Sequence, residues 1–158
     1  MARPPRSKPE SGKPQADPAA RALRLLARRD HTRAELARKL VHDVEDPLRL
    51  EALLDELAAR GWLSDSRFAE QFVHARRTRF GSAALRRALL DRGVADDIIT
   101  RALEPLKEGE LDAARSIWSR KFRAPPATPA ERARQVRFLQ SRGFAIDLAL
   151  RVVRGGAD

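Results

Sequence analysis

The chain of 158 residues contains no cysteine, no tyrosine and no asparagine. Without cysteine it can form no disulfide and no thiolate-ligated metal site. No apolar run approaches the roughly 20 residues that a membrane-spanning helix needs. The N-terminal residues also lack the apolar stretch of a secretory signal. We therefore expect a soluble, cytoplasmic protein that makes no contact with a membrane.

The motifs of common catalytic and cofactor sites are missing as well. The sequence has no glycine-rich phosphate loop, no His-Glu-x-x-His and no Gly-x-Ser-x-Gly. The three histidines, His31, His42 and His74, are isolated from one another and from any nucleophile at a useful spacing. We expect them at the surface or at a module boundary, and we predict no enzymatic activity, no cofactor and no bound metal.

One phrase occurs three times: a leucine, two variable residues, Arg-Gly, an apolar residue and, four residues after the glycine, an aspartate. Such repetition indicates copies of one supersecondary unit. A glycine just past a helix adopts the left-handed conformation that ends it, and the next residue then contacts the leucine in a Schellman stop. The aspartate suits the positive end of the following helix. The repeated residues are Leu57, Gly61, Trp62 and Asp65; Leu89, Gly93, Val94 and Asp97; and Leu139, Gly143, Phe144 and Asp147.

Apolar residues recur at helical spacing along most of the chain, and no segment shows the sustained alternation of a strand. Asp17, Asp46 and Thr128 are capping residues that each precede a proline, which is typical of a helix start. The sequence therefore predicts an all-α fold of nine helices in three groups of three. The predicted helices are 18–29, 32–41, 47–60, 65–79, 82–92, 96–106, 110–122, 129–142 and 146–154.

The net charge of +10 is unevenly distributed along the chain. Residues 111–154 hold ten basic side chains against only three aspartates and glutamates, whereas residues 19–67 hold ten against nine. A basic excess of this kind favours polyanions or an acidic protein face. The proline-rich start of the chain has little to bury, which is typical of disorder. We predict a disordered basic tail at 1–17 and three-helix modules at 18–67, 68–108 and 109–154.

Two arginine-rich clusters are the candidate partner contacts. An arginine-rich helix end beside a glycine turn can bind phosphates or carboxylates. A face whose charges are merely solvated is the alternative for each cluster. Few aromatic residues lie between the charges, which is unfavourable for a protein that stacks on single-stranded bases. The first cluster is Arg76, Arg77, Arg79, Arg86 and Arg87, and the second is Arg120, Lys121, Arg123, Arg132, Arg134 and Arg137.

An ordered set of motifs extends over residues 19–154. Its segments are RDHTRAEL at 29–36, GWLSDSRFA at 61–69, RKF at 120–122, RFL at 137–139 and RGF at 142–144. The most specific of them has the pattern Gly-Trp-x-x-Asp-x-Arg-Phe-Ala. This ordered set resembles the RecX family of recombinase regulators. Where this family commonly has Tyr-Gly, the chain has Phe80-Gly81.

The resemblance implies an elongated, curved array of three three-helix modules without catalytic residues. It further implies binding to the bacterial recombinase RecA and to its filament on single-stranded DNA. The expected effect is inhibition of ATP hydrolysis, filament extension and strand exchange in recombination, DNA repair and the SOS response. We expect a monomer that binds DNA weakly and without sequence preference.

A different function remains open from the residues alone. The alternative is a tandem helix-turn-helix protein that reads duplex DNA directly. Such a protein needs a recognition helix with base-reading side chains such as asparagine, glutamine or arginine. The absence of asparagine and the scarcity of glutamine make this alternative the weaker of the two.

Overall fold

The computed structural model describes residues 17–155, which form nine α-helices and one short 3₁₀ helix and contain no strand. The all-α prediction is therefore confirmed for this part of the chain. The predicted tail at 1–17 lies outside the described residues, apart from Asp17. The helices are α1 (Pro18–Arg28), α2 (Arg33–Leu40), α3 (Pro47–Ala59), α4 (Asp65–Arg76), α5 (Ser82–Leu90), α6 (Asp96–Leu103), α7 (Glu110–Lys121), α8 (Pro129–Ser141) and α9 (Ile146–Gly155), with the 3₁₀ helix at Glu104–Leu106.

Helix starts follow the capping residues in the sequence. The carboxylates of Asp17 and Asp46 accept hydrogen bonds from the backbone N–H two residues further on. Thr32 and Thr128 each form a capping box with the glutamate three residues later. These contacts satisfy N–H groups that a helix cannot bond internally, so the local sequence fixes where α1, α2, α3 and α8 begin.

The three repeated glycines end helices in the left-handed conformation. Their φ angles are 73° at Gly61, 76° at Gly93 and 89° at Gly143. At the middle turn, Gly93 N–H donates to Leu90 O at 2.9 Å and Val94 N–H donates to Leu89 O at 3.1 Å. The same pair of bonds is present at the other two turns. This is the Schellman geometry that the phrase predicts.

The predicted helix 65–79 is too long, because α4 ends at Arg76. Arg79 N–H turns back to Arg76 O at 2.9 Å, and the chain reverses. The reversal brings Gly81 N–H to within 2.7 Å of Arg142 O, which belongs to the third module. A long-range contact therefore sets this helix end. The predicted helix 96–106 is likewise divided, since α6 gives way to the 3₁₀ helix.

Three separate hydrophobic cores lie in chain order. The first is formed by α1–α3 with Leu63, the second by α4–α6, and the third by α7–α9. Phe68 and Phe72 of α4 belong to the second core, where their rings stack at 6.0 Å. The predicted boundary between residues 67 and 68 thus falls inside α4.

The N-terminus of α2 contacts the second module, and we call this contact the first junction. The hydroxyl of Thr32 donates to Arg92 O at 2.7 Å, just before the glycine of the α5–α6 turn. Arg33 N–H donates to the carboxylate of Asp65, the first residue of α4, at 2.8 Å. His31 lies at the same place and is 3% exposed, so it occupies a module boundary and not the surface.

The N-terminus of α5 receives the third module in the same manner, at the second junction. Gly81 N–H donates to Arg142 O, again the carbonyl just before the glycine of a repeated turn. Both the N–H and the hydroxyl of Ser82 donate to the carboxylate of Glu110, the first residue of α7, at 2.8 and 2.7 Å. The two junctions therefore repeat one pattern of contacts.

Two of the repeated glycines are also packing positions within these junctions. A Cβ on Gly93 would lie 2.5 Å from the Cβ of Ala34 in α2. A Cβ on Gly143 would lie 2.3 Å from the Cβ of Ala84 in α5 and 2.4 Å from its backbone nitrogen. Gly61 differs, since a Cβ there would meet nothing within 4 Å. The first copy of the phrase connects two modules in sequence, whereas the other two dock one module onto the next.

Candidate functional site

A groove follows the second junction, and we call it the junction groove. It has two lobes of about 290 Å³ each, which share Thr78 and Arg120. The first, the apolar lobe, includes Phe80, Leu106 and Phe144 in its lining. The second, the cationic lobe, is lined by Thr78, Arg79, Ile117, Arg120, Lys121, Phe138 and Arg142.

The fold brings together cations that are far apart in sequence. Arg77 and Arg79 come from the turn after α4, and Arg120 and Lys121 from the end of α7. Both sets were candidates from the sequence, but only the second junction makes them neighbours. Arg142 joins them, and it was not a candidate because the repeated phrase explained it as helix punctuation.

The charges of these five cations are not neutralised within the described part of the chain. None of Arg77, Arg79, Arg120, Lys121 and Arg142 forms an ion pair with a carboxylate of residues 17–155. Like charges held close together repel, and an anionic ligand relieves that repulsion. The groove is therefore suited electrostatically to an anionic ligand.

Among the described residues, the one carboxylate that lines the two lobes, that of Glu110, is already engaged. Glu110 lines the apolar lobe, but it accepts both bonds from Ser82. Arg120 bonds the hydroxyl of Ser116 at 3.0 Å, a contact that orients its guanidinium without removing charge. The second junction thus uses its acidic residue to hold α5 against α7.

The aromatic rings of the groove are partly covered by a cation. The guanidinium of Arg142 lies 5.9 Å from the ring centre of Phe80 and 5.4 Å from that of Phe138. The ring of Phe122, which lies outside the groove lining, meets that of Phe138 edge to face at 5.3 Å. Cation–π contacts of this kind fix the guanidinium over the ring faces. The groove therefore offers charge and apolar wall, and little free aromatic face.

Three of the candidate arginines are engaged within the second module. Arg86 pairs with Asp96 and bonds the hydroxyl of Thr100 at 3.0 Å. Arg87 pairs with Asp91 one helical turn away at 3.3 Å. The third, Arg76, is half-buried, and its guanidinium carbon lies 3.9 Å from a phenylalanine ring centre. These side chains already have partners inside the module.

The remaining candidates lie away from the groove, on the loop after α7 and on α8. They are exposed, and Arg134 lies 5.8 Å from the ring of Phe122. We refer to these exposed arginines of the third module together as the α8 surface. It consists of Arg123, Arg132, Arg134 and Arg137.

A comparable groove of about 400 Å³ lies at the first junction, but its charges are mostly paired: of its arginines Arg29, Arg76 and Arg92, only Arg76 has no carboxylate partner among residues 17–155. Glu35 forms an ion pair with Arg29 at 3.2 Å, and its Oε1 lies 3.8 Å from Nε of Arg92. Asp30 accepts hydrogen bonds from both the Nε and an Nη of Arg67. These hydrogen bonds hold the pKa of the Asp30 carboxyl below its ordinary value.

Neither a metal centre nor a membrane span is found in the described part of the chain. No group of three or more His, Asp or Glu side chains among residues 17–155 is arranged to hold a metal ion. No helix there is long and apolar enough to cross a membrane.

Burial lowers the pKa of His31, whose Nδ1 lies 3.0 Å from Arg29 O. His31 is thus accounted for as a junction residue.

Comparison with known proteins agrees with this architecture. Residues 20–46, 64–103 and 108–153 match the first, second and third three-helix domains of RecX. The crystal structure of RecX from Lactobacillus salivarius superposes with a TM-score of 0.78 at 17% identity, over 89% of this chain and 94% of that one. A second crystal structure, of a regulatory protein RecX, gives 0.73 at 21% identity, over 85% of this chain and 68% of that one.

Sequence relatives are much closer. The regulatory protein RecX of Leptothrix cholodnii is 49% identical over 91% of this chain and 92% of its own length. That of Chromobacterium violaceum is 48% identical over 88% and 90%, respectively. Identity at this level over nearly the whole chain is decisive: the chain belongs to the RecX family of regulatory proteins.

Proposed function

We propose that this protein regulates the recombinase RecA by binding its nucleoprotein filament. Binding lowers ATP hydrolysis, filament extension and strand exchange, and so limits recombination and DNA repair. The family supports a regulatory role. The observation that supports a particular binding surface is the junction groove, whose five cations have no ion pair with a carboxylate of residues 17–155.

The charge distribution favours an anionic, filamentous partner. A basic surface steers association with a nucleic acid filament over distances near the Debye length, about 10 Å at moderate salt. Repeat arrays present their modules as one continuous surface, which suits a filament better than a small ligand. In this proposal the junction groove contacts the protein component, and the α8 surface adds weak, sequence-independent contact with DNA.

The direct test is ATP hydrolysis by the cognate RecA on single-stranded DNA, titrated with this protein. We expect inhibition at substoichiometric to near-stoichiometric amounts. The protein alone is expected to hydrolyse no ATP. Inhibition that disappears when the DNA is in excess would indicate sequestration of DNA. A flat response over a saturating titration would show the proposal to be wrong.

A charge-reversal pair locates the surface. Arg77→Glu with Arg79→Glu changes two exposed side chains in a turn, and we expect inhibition to weaken by about ten-fold or more without loss of fold. The matched control is Arg24→Glu with Arg28→Glu, which makes the same charge change on the exposed face of α1. Equal loss in both variants would point to net charge alone.

A further inference from the structure

The junction groove differs from an ordinary basic patch, because an apolar lobe and a cationic lobe open side by side. We propose that it docks an extended acidic segment of a protein partner, with one apolar side chain of that segment in the apolar lobe. The inference rests on the proposed function, in which the groove contacts the protein component of a filament. It goes further by stating what chemistry the groove recognises.

The apolar lobe supplies the anchor. Phe80 and Leu106 of the second module and Ala113 and Phe144 of the third line it, so both modules contribute. Its volume of about 290 Å³ accommodates one large side chain such as leucine or phenylalanine. Apolar anchors that fill a pocket commonly dominate the binding energy of protein interfaces. A phosphodiester backbone has no group that would fill this lobe favourably.

The cationic lobe supplies the charge complement. Arg79, Arg120, Lys121 and Arg142 line it, and none of them is paired with a carboxylate of residues 17–155. Guanidinium groups bind carboxylates through two parallel hydrogen bonds. Arg120 borders both lobes, so a carboxylate next to the apolar anchor lies within its reach.

Single-stranded nucleic acid is the less suitable occupant. Proteins that bind it combine a cationic groove with aromatic rings on which bases stack. Here the guanidinium of Arg142 already lies over the rings of Phe80 and Phe138. The α8 surface, by contrast, consists of exposed arginines that line neither lobe of the groove, and exposed cations of this kind suit a phosphate backbone.

The groove is preorganised by the second junction. Gly81 N–H and Ala83 N–H donate to the carbonyls of Arg142 and Gly143 at 2.7 and 3.1 Å. These main-chain bonds fix the two walls relative to each other, and a rigid site pays less entropy when it binds a flexible segment. The groove therefore needs no large rearrangement to accept an extended peptide.

The experiment compares three labelled probes by fluorescence anisotropy with the full-length protein. The first is a peptide of about a dozen residues, mostly glutamate with two leucines. The second replaces the leucines with alanine, and the third is an oligothymidylate of matched charge. We expect the leucine peptide to bind about ten-fold more tightly than the alanine peptide. Equal binding of the two peptides would overturn the proposal.

Variants assign the binding to the groove. Arg79→Glu with Lys121→Glu is expected to weaken binding of the leucine peptide by about ten-fold or more, and binding of oligothymidylate much less. The control, Arg24→Glu with Arg28→Glu, should leave peptide binding nearly unchanged. Ala113→Leu fills the apolar lobe and should abolish the preference for leucine. If the groove variant weakens oligothymidylate as strongly as the peptide, the groove binds phosphodiester and the proposal is wrong.

The same variants separate this inference from the proposed function. If wild-type protein inhibits RecA but does not bind the leucine peptide, the docking proposal fails and the regulatory function stands. If the peptide binds in the groove but RecA is unaffected, the regulatory function fails and the docking chemistry stands.

Discussion

The two junctions share the same pattern of two hydrogen bonds, yet they differ in how their charges are paired. In each, the capping residue of a middle helix bonds the carbonyl before a repeated glycine, and the next N–H bonds the first carboxylate of the following module. At the first junction, Asp30 and Glu35 also form ion pairs with Arg29, Arg67 and Arg92. At the second, the neighbouring cations have no such partners among the described residues.

This difference separates two uses of one repeated unit. Paired charges at the first junction add to the attachment of one module to the next. At the second, no ion pair of the five groove cations joins the modules among residues 17–155, although Arg142 of the third module lies over the Phe80 ring of the second. Main-chain hydrogen bonds, the bonds from Ser82 to Glu110 and close glycine packing hold that junction. The electrostatic free energy that the first junction uses for folding is, at the second, available for a partner.

Gly143→Ala should give the largest loss of stability. Its φ of 89° strains any residue with a Cβ, and that Cβ would lie 2.4 Å from the backbone nitrogen of Ala84. We expect a loss of about 3 kcal/mol or more in the free energy of unfolding, measured by urea denaturation. Gly61→Ala is the control: its φ of 73° gives strain without a clash, so about 1 kcal/mol is expected.

A second mutation at Ala84 should not restore the stability lost in Gly143→Ala, because the new Cβ also clashes with a backbone atom. Ala84→Gly removes the Cβ at 2.3 Å but leaves the nitrogen in place. If the double variant recovered full stability, the second junction would not depend on the main-chain approach described above.

Gly93→Ala is the corresponding change at the first junction, and we expect a smaller loss of about 2 kcal/mol. The new Cβ would meet the Cβ of Ala34 at 2.5 Å, whereas its backbone Cα is 4.0 Å away. Ala34→Gly should therefore relieve the clash. In a double-mutant cycle, the two changes should couple favourably by about 1 kcal/mol. Additive losses would contradict the packing assigned to this junction.

Asp30→Asn tests the charge pairing at the first junction, with an expected loss of about 1 kcal/mol at neutral pH. The Arg67 hydrogen bonds lower the folded-state pKa of Asp30 below 3.8. Its contribution is thus present above the unfolded-state pKa and is lost as the pH falls through the folded-state pKa. Unfolding measured from pH 7 down to pH 2 should show wild type and variant converging. A difference in unfolding free energy that stays constant with pH would show that the Asp30–Arg67 pair is not the origin of the loss.

Much of the fold could be predicted from the sequence because its signals are local. Asp17, Asp46 and Thr128 cap helices where the sequence placed them. The left-handed glycines follow from one repeated phrase. The end of α4 at Arg76 could not be predicted, because the chain reverses there to let Gly81 reach a carbonyl more than sixty residues away in sequence.

The candidate site could be predicted only in part, for the same reason. Charge composition identified Arg77, Arg79, Arg120 and Lys121, but not that they share a groove. It also selected Arg86, which Asp96 engages. Arg142 was missed because its place before a glycine already had a local explanation. Ion pairing across a junction depends on tertiary packing, and no spacing in a single sequence reports it.

Arg79→Gln with Lys121→Gln should have the smallest effect on stability, and of opposite sign to Asp30→Asn. Both side chains are exposed and line a lobe whose cations have no carboxylate partner among residues 17–155, so removing the two charges relieves repulsion. We expect unfolding free energies within about 0.5 kcal/mol of wild type, at or above its value. Added salt screens the repulsion, so it should reduce any gain in unfolding free energy of the glutamine variant. It also screens the attraction between Asp30 and Arg67, so it should reduce the loss in Asp30→Asn. A clear loss of stability in the glutamine variant, comparable to that of Asp30→Asn, would contradict this expectation. It would mean that the second junction also uses these cations to hold its modules together, and the contrast between the two junctions would fail.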